Sequence, residues 1–301
     1  MALSRLVFML AILGFATSCI QVHQQFTINP DHSARVRLTL TMDPDKIDFE
    51  SVGNTLNRRD ELDRAERSLE EIADRMITAA EGVDAWTDYA MEKSVGGKVV
   101  VTMTGYIPDL SKYRLYPEDS EGFSNLRFHF DQQDDKQEAL TMQLEGINDA
   151  ITSNKKPKLS PDEIQDHRKR QRKIFASEAR ETKFMLDPLR ITAQLRLPGP
   201  VTQVSNFTKP SPREVQITFQ GHKLYSMLDL ILTDDALAKQ AFANGWRFEE
   251  DIPLPGDQVN EFLFGKKAPL SLIMKPATRP LFDYAKELDR AKRHPISGLE
   301  P

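Results

Sequence analysis

Period-two alternation starts at Ile20 and governs the next two dozen residues, which commits this end of the chain to a β-hairpin. Ile20, Val22, Phe26 and Ile28 alternate with Gln21, His23, Gln25 and Thr27. After the turn Asn29-Pro-Asp-His32, one face takes Ala34, Val36, Leu38, Leu40 and Met42, and the other takes Arg35, Arg37, Thr39 and Thr41. Successive strand residues point to opposite sides, so the pattern predicts antiparallel strands with one buried and one wetted face.

The residue before this alternation is Cys19, the only cysteine of the chain. It follows a charge at Arg5, an apolar stretch from Leu6 to Ala16, and the small residues Ala16, Thr17 and Ser18. This order is that of a bacterial lipoprotein signal: residues 1–18 are removed, and the thiol of Cys19 carries a lipid through a thioether. The apolar run is shorter than the roughly 20 residues that span a bilayer core. Ala16 and Ser18 also suit plain secretion, but a cysteine directly after the small residues favours lipidation. Ile20 stands where an aspartate would resemble an inner-membrane retention signal, which leans the expected location towards the outer membrane of a host that has one. The membrane is thus an expected partner through the N-terminal lipid, with the protein facing the periplasm or the exterior and almost no tether before the first strand.

Residues 1–18 carry a single charge, Arg5, so the net charge of −5 becomes −6 once they are removed. A weakly acidic chain has no overall attraction to nucleic acid or anionic lipid, and nucleic acid is not an expected partner. At 40% apolar and 28% charged residues over its full length, the chain reads as globular. A lone cysteine leaves no disulfide, so packing and hydrogen bonding must hold the fold.

Apolar residues at Leu62, Ala65, Leu69, Ile72, Ala73, Met76, Ile77 and Ala80 form one stripe of a helix over 56–81. A second hairpin runs from Ala85-Trp86 through Gly96-Gly97 into Val99–Met103, and strands are expected near 125–130 and 139–144. The segment 149–187 is strongly charged. Within it Ser160-Pro-Asp-Glu163 is a capping-box helix start and Pro188 a stop. Alternation returns at 191–197, followed by strands near 201–207 and 215–219. Thr233-Asp-Asp235 caps a short helix ending at Asn244-Gly245; a strand at 270–274 and a charged helix near 280–293 complete the chain.

The predicted fold is α+β: an antiparallel β-meander packed by a long amphipathic helix, with an inserted charged helix and a C-terminal helical extension. The expected divisions are a signal at 1–18, a domain at 19–232 with the insertion 149–187, and a proline-rich extension at 233–301. This element order, with Tyr106-Ile-Pro-Asp-Leu110, Leu197-Pro-Gly-Pro-Val-Thr-Gln-Val-Ser-Asn206 and Val215-Gln-Ile-Thr-Phe219, resembles the LppM-like lipoprotein domain over residues 19 to about 230. Phe207 and Phe219 stand where members tend to have Gly or Ala and Trp. The resemblance implies an antiparallel α+β fold at a membrane surface and brings no catalytic residues.

The six histidines lack the short spacing of a metal site, and with one cysteine no metal or other cofactor is expected. The acidic clusters at Asp43, Asp45 and Asp48 and at Asp131, Asp134 and Asp135 lack the glycine and glutamate of a helix-loop-helix calcium loop and read as solvated turns. Nucleophile-elbow and phosphate-loop motifs are missing, so no enzymatic activity is expected, although paired carboxylates for a glycosidase stay open. Arg168, Lys169, Arg170, Arg172 and Lys173 form the most unusual run, a candidate basic surface for phosphate headgroups or an acidic partner. A solvated helix bridging two halves of the sheet is the plainer reading and is preferred. Aromatics between Trp86 and Phe123 read as core packing before they read as a carbohydrate or lipid cleft. The expectation is a lipid-anchored extracytoplasmic protein that binds a protein or ligand at the membrane surface. The alternatives are a lipid-binding or transfer module using the space under the helix at 56–81, and an envelope hydrolase.

Overall fold

In the computed structural model, residues 20–44, 58–94, 97–115, 126–134, 136–144, 160–242 and 256–296 are described. The expected signal segment, residues 1–18, and Cys19 lie outside them. The alternation after Cys19 folds as its periodicity requires: β1 (Ile20–Ile28) pairs antiparallel with β2 (Ala34–Met42), Ile20 opposite Met42 and Ile28 opposite Ala34. Every apolar residue of the β2 set is fully buried, and each of its larger aliphatic side chains contributes about 2 kcal/mol of transfer free energy. β3 (Ala85–Lys93) and β4 (Val99–Ile107) form the second hairpin, with Gly97 at φ 73° in its turn. The predicted stripe becomes α1 (Arg58–Ala79), which lays Ala65, Leu69, Ile72, Ala73 and Met76 against β2 and β4.

These strands join β7 (Arg190–Arg196), β9 (Thr208–Ser211) and β10 (Glu214–Gln220) in a seven-stranded sheet of order β3-β4-β2-β1-β7-β10-β9. All its pairings are antiparallel except β1 with β7, which runs parallel from Gln21 opposite Arg190 to Thr27 opposite Arg196. The class is α+β as expected, but the strands divide between two sheets and one pair is parallel. Alternation fixes which face a strand buries and says nothing of its neighbour.

The second sheet has the order β5-β6-β11-β8, with β5 (Leu126–Asp134), β6 (Gln137–Leu144), β8 (Val201–Ser205) and β11 (Leu270–Met274). β11 comes from beyond residue 232, yet it is an interior strand between β6 and β8. Gly199 permits this close approach, since a Cβ there would sit 1.8 Å from the Lys275 carbonyl oxygen. The inner faces of both sheets and α1 enclose one core, in which the Phe26 ring meets Tyr113 edge-on at 5.5 Å and Phe128 at 5.1 Å.

A second core is helical. It is built from α2 (Pro161–Leu186), α3 (Gly221–Thr233), α4 (Asp235–Phe242) and α5 (Gly256–Phe264), which bury Phe175, Leu224, Met227, Ile231, Phe242 and Leu263. α2 starts with the predicted capping box, Ser160 and Glu163 bonding reciprocally. Asp234 caps α4 as expected, accepting from the amides of Ala236 and Leu237. The expected end of that helix at Asn244-Gly245 lies outside the described residues. α3 is not announced in the sequence, because it follows β10 without a break and its N-cap, Gln220, makes no capping hydrogen bond. Last comes α6 (Tyr284–Arg293), whose N-cap Asp283 accepts from the Lys286 amide. Among the described residues no helix is long and apolar enough to cross a membrane.

Candidate functional site on the polar sheet face

The face of the seven-stranded sheet away from the core is built from the polar half of the alternation. Its register aligns residues in rows across the strands. One row is Thr87, Thr104, Arg37, Gln25 and Gln194; the next is Ala85, Tyr106, Arg35, Thr27 and Arg196. A third runs Thr102, Thr39, His23 and Thr192, where burial holds the His23 imidazole below its ordinary 6.5 against the opposing effect of a hydrogen bond it donates to Gln194.

The first two rows frame a cleft of about 360 Å³. Gln25, Thr27, Arg35 and Arg37 line it from β1 and β2, and Thr104 and Tyr106 from β4. Asp88 closes its rim from a bulge between Thr87 and Ala90, where its backbone takes the left-handed value φ 54°. Asparagine and aspartate adopt that conformation most readily among residues with a side chain.

One end of the face is covered by the chain's C-terminal segment. Asn29 is 2% exposed, and its amide bonds both to this segment and within its own turn. Its Nδ2 donates to Ser33 Oγ at 3.1 Å and to the Phe282 carbonyl at 3.1 Å, while its Oδ1 accepts from the amides of Leu281 at 2.8 Å and Phe282 at 3.3 Å. α6 then packs on β3, burying Phe282 and Ala291 with Tyr106. Arg35 donates to Glu287 Oε2 at 2.8 Å and sits 5.3 Å from the Phe282 ring centroid. The Tyr106 hydroxyl donates to the same carboxylate oxygen at 3.3 Å. Burial, with the Glu287 charge second, holds the Tyr106 phenol above its ordinary 10, so it stays a donor.

A separate polar contact ties the two sheets together. His32, in the β1–β2 turn at φ 66°, lies 2.6 Å from Glu138 of β6 and stacks on Phe130 with centroids 3.9 Å apart. The hydrogen bond to Glu138 holds the His32 imidazole above 6.5, with smaller contributions from the Glu138, Asp109 and Asp31 charges.

The basic run of α2 divides. Arg168 and Arg172 turn towards the C-terminal end of α3, whose last carbonyls lack helical partners. Arg168 Nε donates to the Leu232 carbonyl at 3.1 Å and its Nη2 to that of Thr233 at 2.8 Å, and the same guanidinium pairs with Asp235. Arg172 Nε donates to the Leu232 carbonyl at 2.6 Å. Lys169, Arg170 and Lys173 are exposed. Of the aromatic cluster, Tyr113 is a core residue, Trp86 packs over Gly105 and Tyr106 edges the cleft, while Tyr116 and Phe123 lie outside the described residues. Asp43 pairs with Lys98 at 3.7 Å, and Asp134 accepts from the Lys136 amide in the β5–β6 turn. Asp45, Asp48 and Asp135 lie outside the described residues. Among the described residues no three His, Cys, Asp or Glu side chains gather as a metal site. Sequence reasoning did not single out Asn29, Asp88 or Glu287. Asp88 lies beside the predicted hairpin, but Glu287 meets Arg35 across 252 residues of chain.

No protein-family model and no curated protein matches the chain. Among solved structures, the chain is similar to the folded domain of the LppM protein of Mycobacterium tuberculosis, determined by NMR. Identity is 11% over 86% of this chain and 91% of that one, with a TM-score of 0.31.

Proposed function

We propose that this chain is a lipid-anchored protein of the bacterial cell envelope, non-enzymatic, which binds a ligand or partner on the polar face of its larger sheet. The observation that carries the reading is where β1 begins. Ile20 is already a paired strand residue with a buried side chain, and it is the residue next to Cys19. A lipid on Cys19 is joined to a residue one position before the sheet, and Gln25 in the cleft lies about 17 Å along β1 from Ile20.

Two features favour ligand binding over the other readings. The space between α1 and the sheet, which a lipid-transfer module would use, is filled by Leu69, Ile72 and Met76 against β2 and β4. Among the described residues Asp88 is the one carboxylate lining the cleft, and the neighbouring Glu287 is held by Arg35 and Tyr106, where a glycosidase needs two available carboxylates. The test is Cys19→Ala in a bacterial host fed a labelled fatty acid. The wild-type protein takes up label and sediments with membranes, whereas the variant takes up none and is released. A variant that keeps both its label and its membrane association contradicts the proposal.

A further inference from the structure

We infer that the cleft beside α6 binds a small hydroxylated carboxylate, of the chemical class of a sugar acid; the inference rests on the polar sheet face being the ligand-binding surface. The size admits it: about 360 Å³ corresponds to roughly a dozen waters, each occupying about 30 Å³ in the liquid, and one sugar ring with its substituents displaces about half that many. The lining is polar. Among the described lining residues Tyr106 supplies the one aromatic ring and none supplies an aliphatic side chain, so the cleft has little to offer an apolar ligand.

The same surface already holds a carboxylate. Arg35 and Tyr106 together bind Glu287, a donor pair presented by β2 and β4 to an acid delivered from another element. Arg37 stands two residues further along β2 on the same face, about 7 Å from Arg35. Its side chain is exposed, and it has no ion-pair or hydrogen-bond partner among the described residues. A guanidinium is a rigid fork of donors that matches a carboxylate bidentately, so Arg37 is placed to do for a ligand what Arg35 does for Glu287.

Hydroxyl recognition comes from the remaining lining groups. Thr27 and Thr104 both donate and accept, and Gln25 spends one amide hydrogen on Gln194 at 3.1 Å and keeps its other capacity. Asp88 offers only acceptor oxygens, suited to ligand hydroxyls and repulsive to a second anionic group. Its left-handed backbone and the bulge that carries it set this acceptor on the cleft rim at β3, beside Thr104 of β4 and one strand beyond it from Arg37 of β2.

The experiment is calorimetric titration of the detergent-solubilised full-length protein with D-glucuronate, acetate and D-glucose. Glucuronate is expected to bind at least tenfold more tightly than either acetate or glucose, because only it satisfies both Arg37 and Asp88. Arg37→Gln, an exposed position that leaves the fold intact, should weaken glucuronate about tenfold, the size of one lost charge-assisted bond. Asp88→Asn keeps a residue that tolerates the left-handed backbone; it should weaken glucuronate and leave acetate unchanged. Glucuronate binding no better than acetate, or undiminished by Arg37→Gln, overturns the inference. That outcome leaves the anchoring result of Cys19→Ala standing by itself, so the two failures are distinguishable.

Discussion

Arg35 and Arg37 have the same side chain, strand and face, yet different surroundings: one is held by Glu287 and the Phe282 ring, the other is open to the cleft. Alternation in the sequence places both on the wetted face but cannot distinguish them, because the distinguishing residues arrive from the far end of the chain. The same holds for His32. Its turn is legible, but its partner Glu138 and the stacked Phe130 belong to the other sheet. Since folding raises the His32 pKa above 6.5, its contribution to stability is present in full below that value and is lost as pH rises through the folded value. Thermal unfolding followed from pH ~6 to pH ~8.5 should therefore show the wild type losing stability relative to His32→Asn, which keeps the left-handed turn and removes the imidazole. Parallel curves for the two proteins would rule out this contribution.

At the scale of elements, α2 shows why a charged run resists reading. Its packed face steps through Ile164, Arg168, Gln171, Phe175, Thr182 and Leu186, a helical spacing in which half the positions are polar. Counting apolar residues alone leaves an intermittent stripe. The polar members earn their places by other means: Gln171 and Thr182 are buried, and Arg168 with Arg172 satisfies carbonyls at the end of α3. Cations at a helix C-terminus are also favoured by the helix dipole. Replacing Arg168 by Ala should cost on the order of 1–3 kcal/mol in denaturant unfolding, because charge-assisted bonds to the last carbonyls of α3 are lost. Lys169→Ala and Lys173→Ala, at exposed positions, should stay within about 0.5 kcal/mol of the wild type. Equal effects at all three positions would mean that the run acts as one solvated surface. By contrast α1, β11 and the capping box of α2 were legible, since each rests on local spacing or a local hydrogen bond.

For the whole molecule, individual strands were more legible than their assembly. The parallel β1–β7 pair and the insertion of β11 between β6 and β8 are set by long-range contacts, through Gly199 against Lys275 and through Asn29 against Phe282. These contacts carry the C-terminal segment back over the first hairpin, where Glu287 meets Arg35 and Tyr106 at the edge of the cleft. Both ends of the described chain thus bear on one surface: β1 supplies it and leads directly from Cys19, while α6 borders it with Glu287. The central claim is that Cys19 is the lipidated N-terminus of this sheet. Intact-mass spectrometry of the protein purified from membranes tests it most directly. The account predicts a chain that lacks residues 1–18 and carries acyl mass on Cys19; a chain that retains Met1, or that begins at an unmodified Cys19, would contradict it.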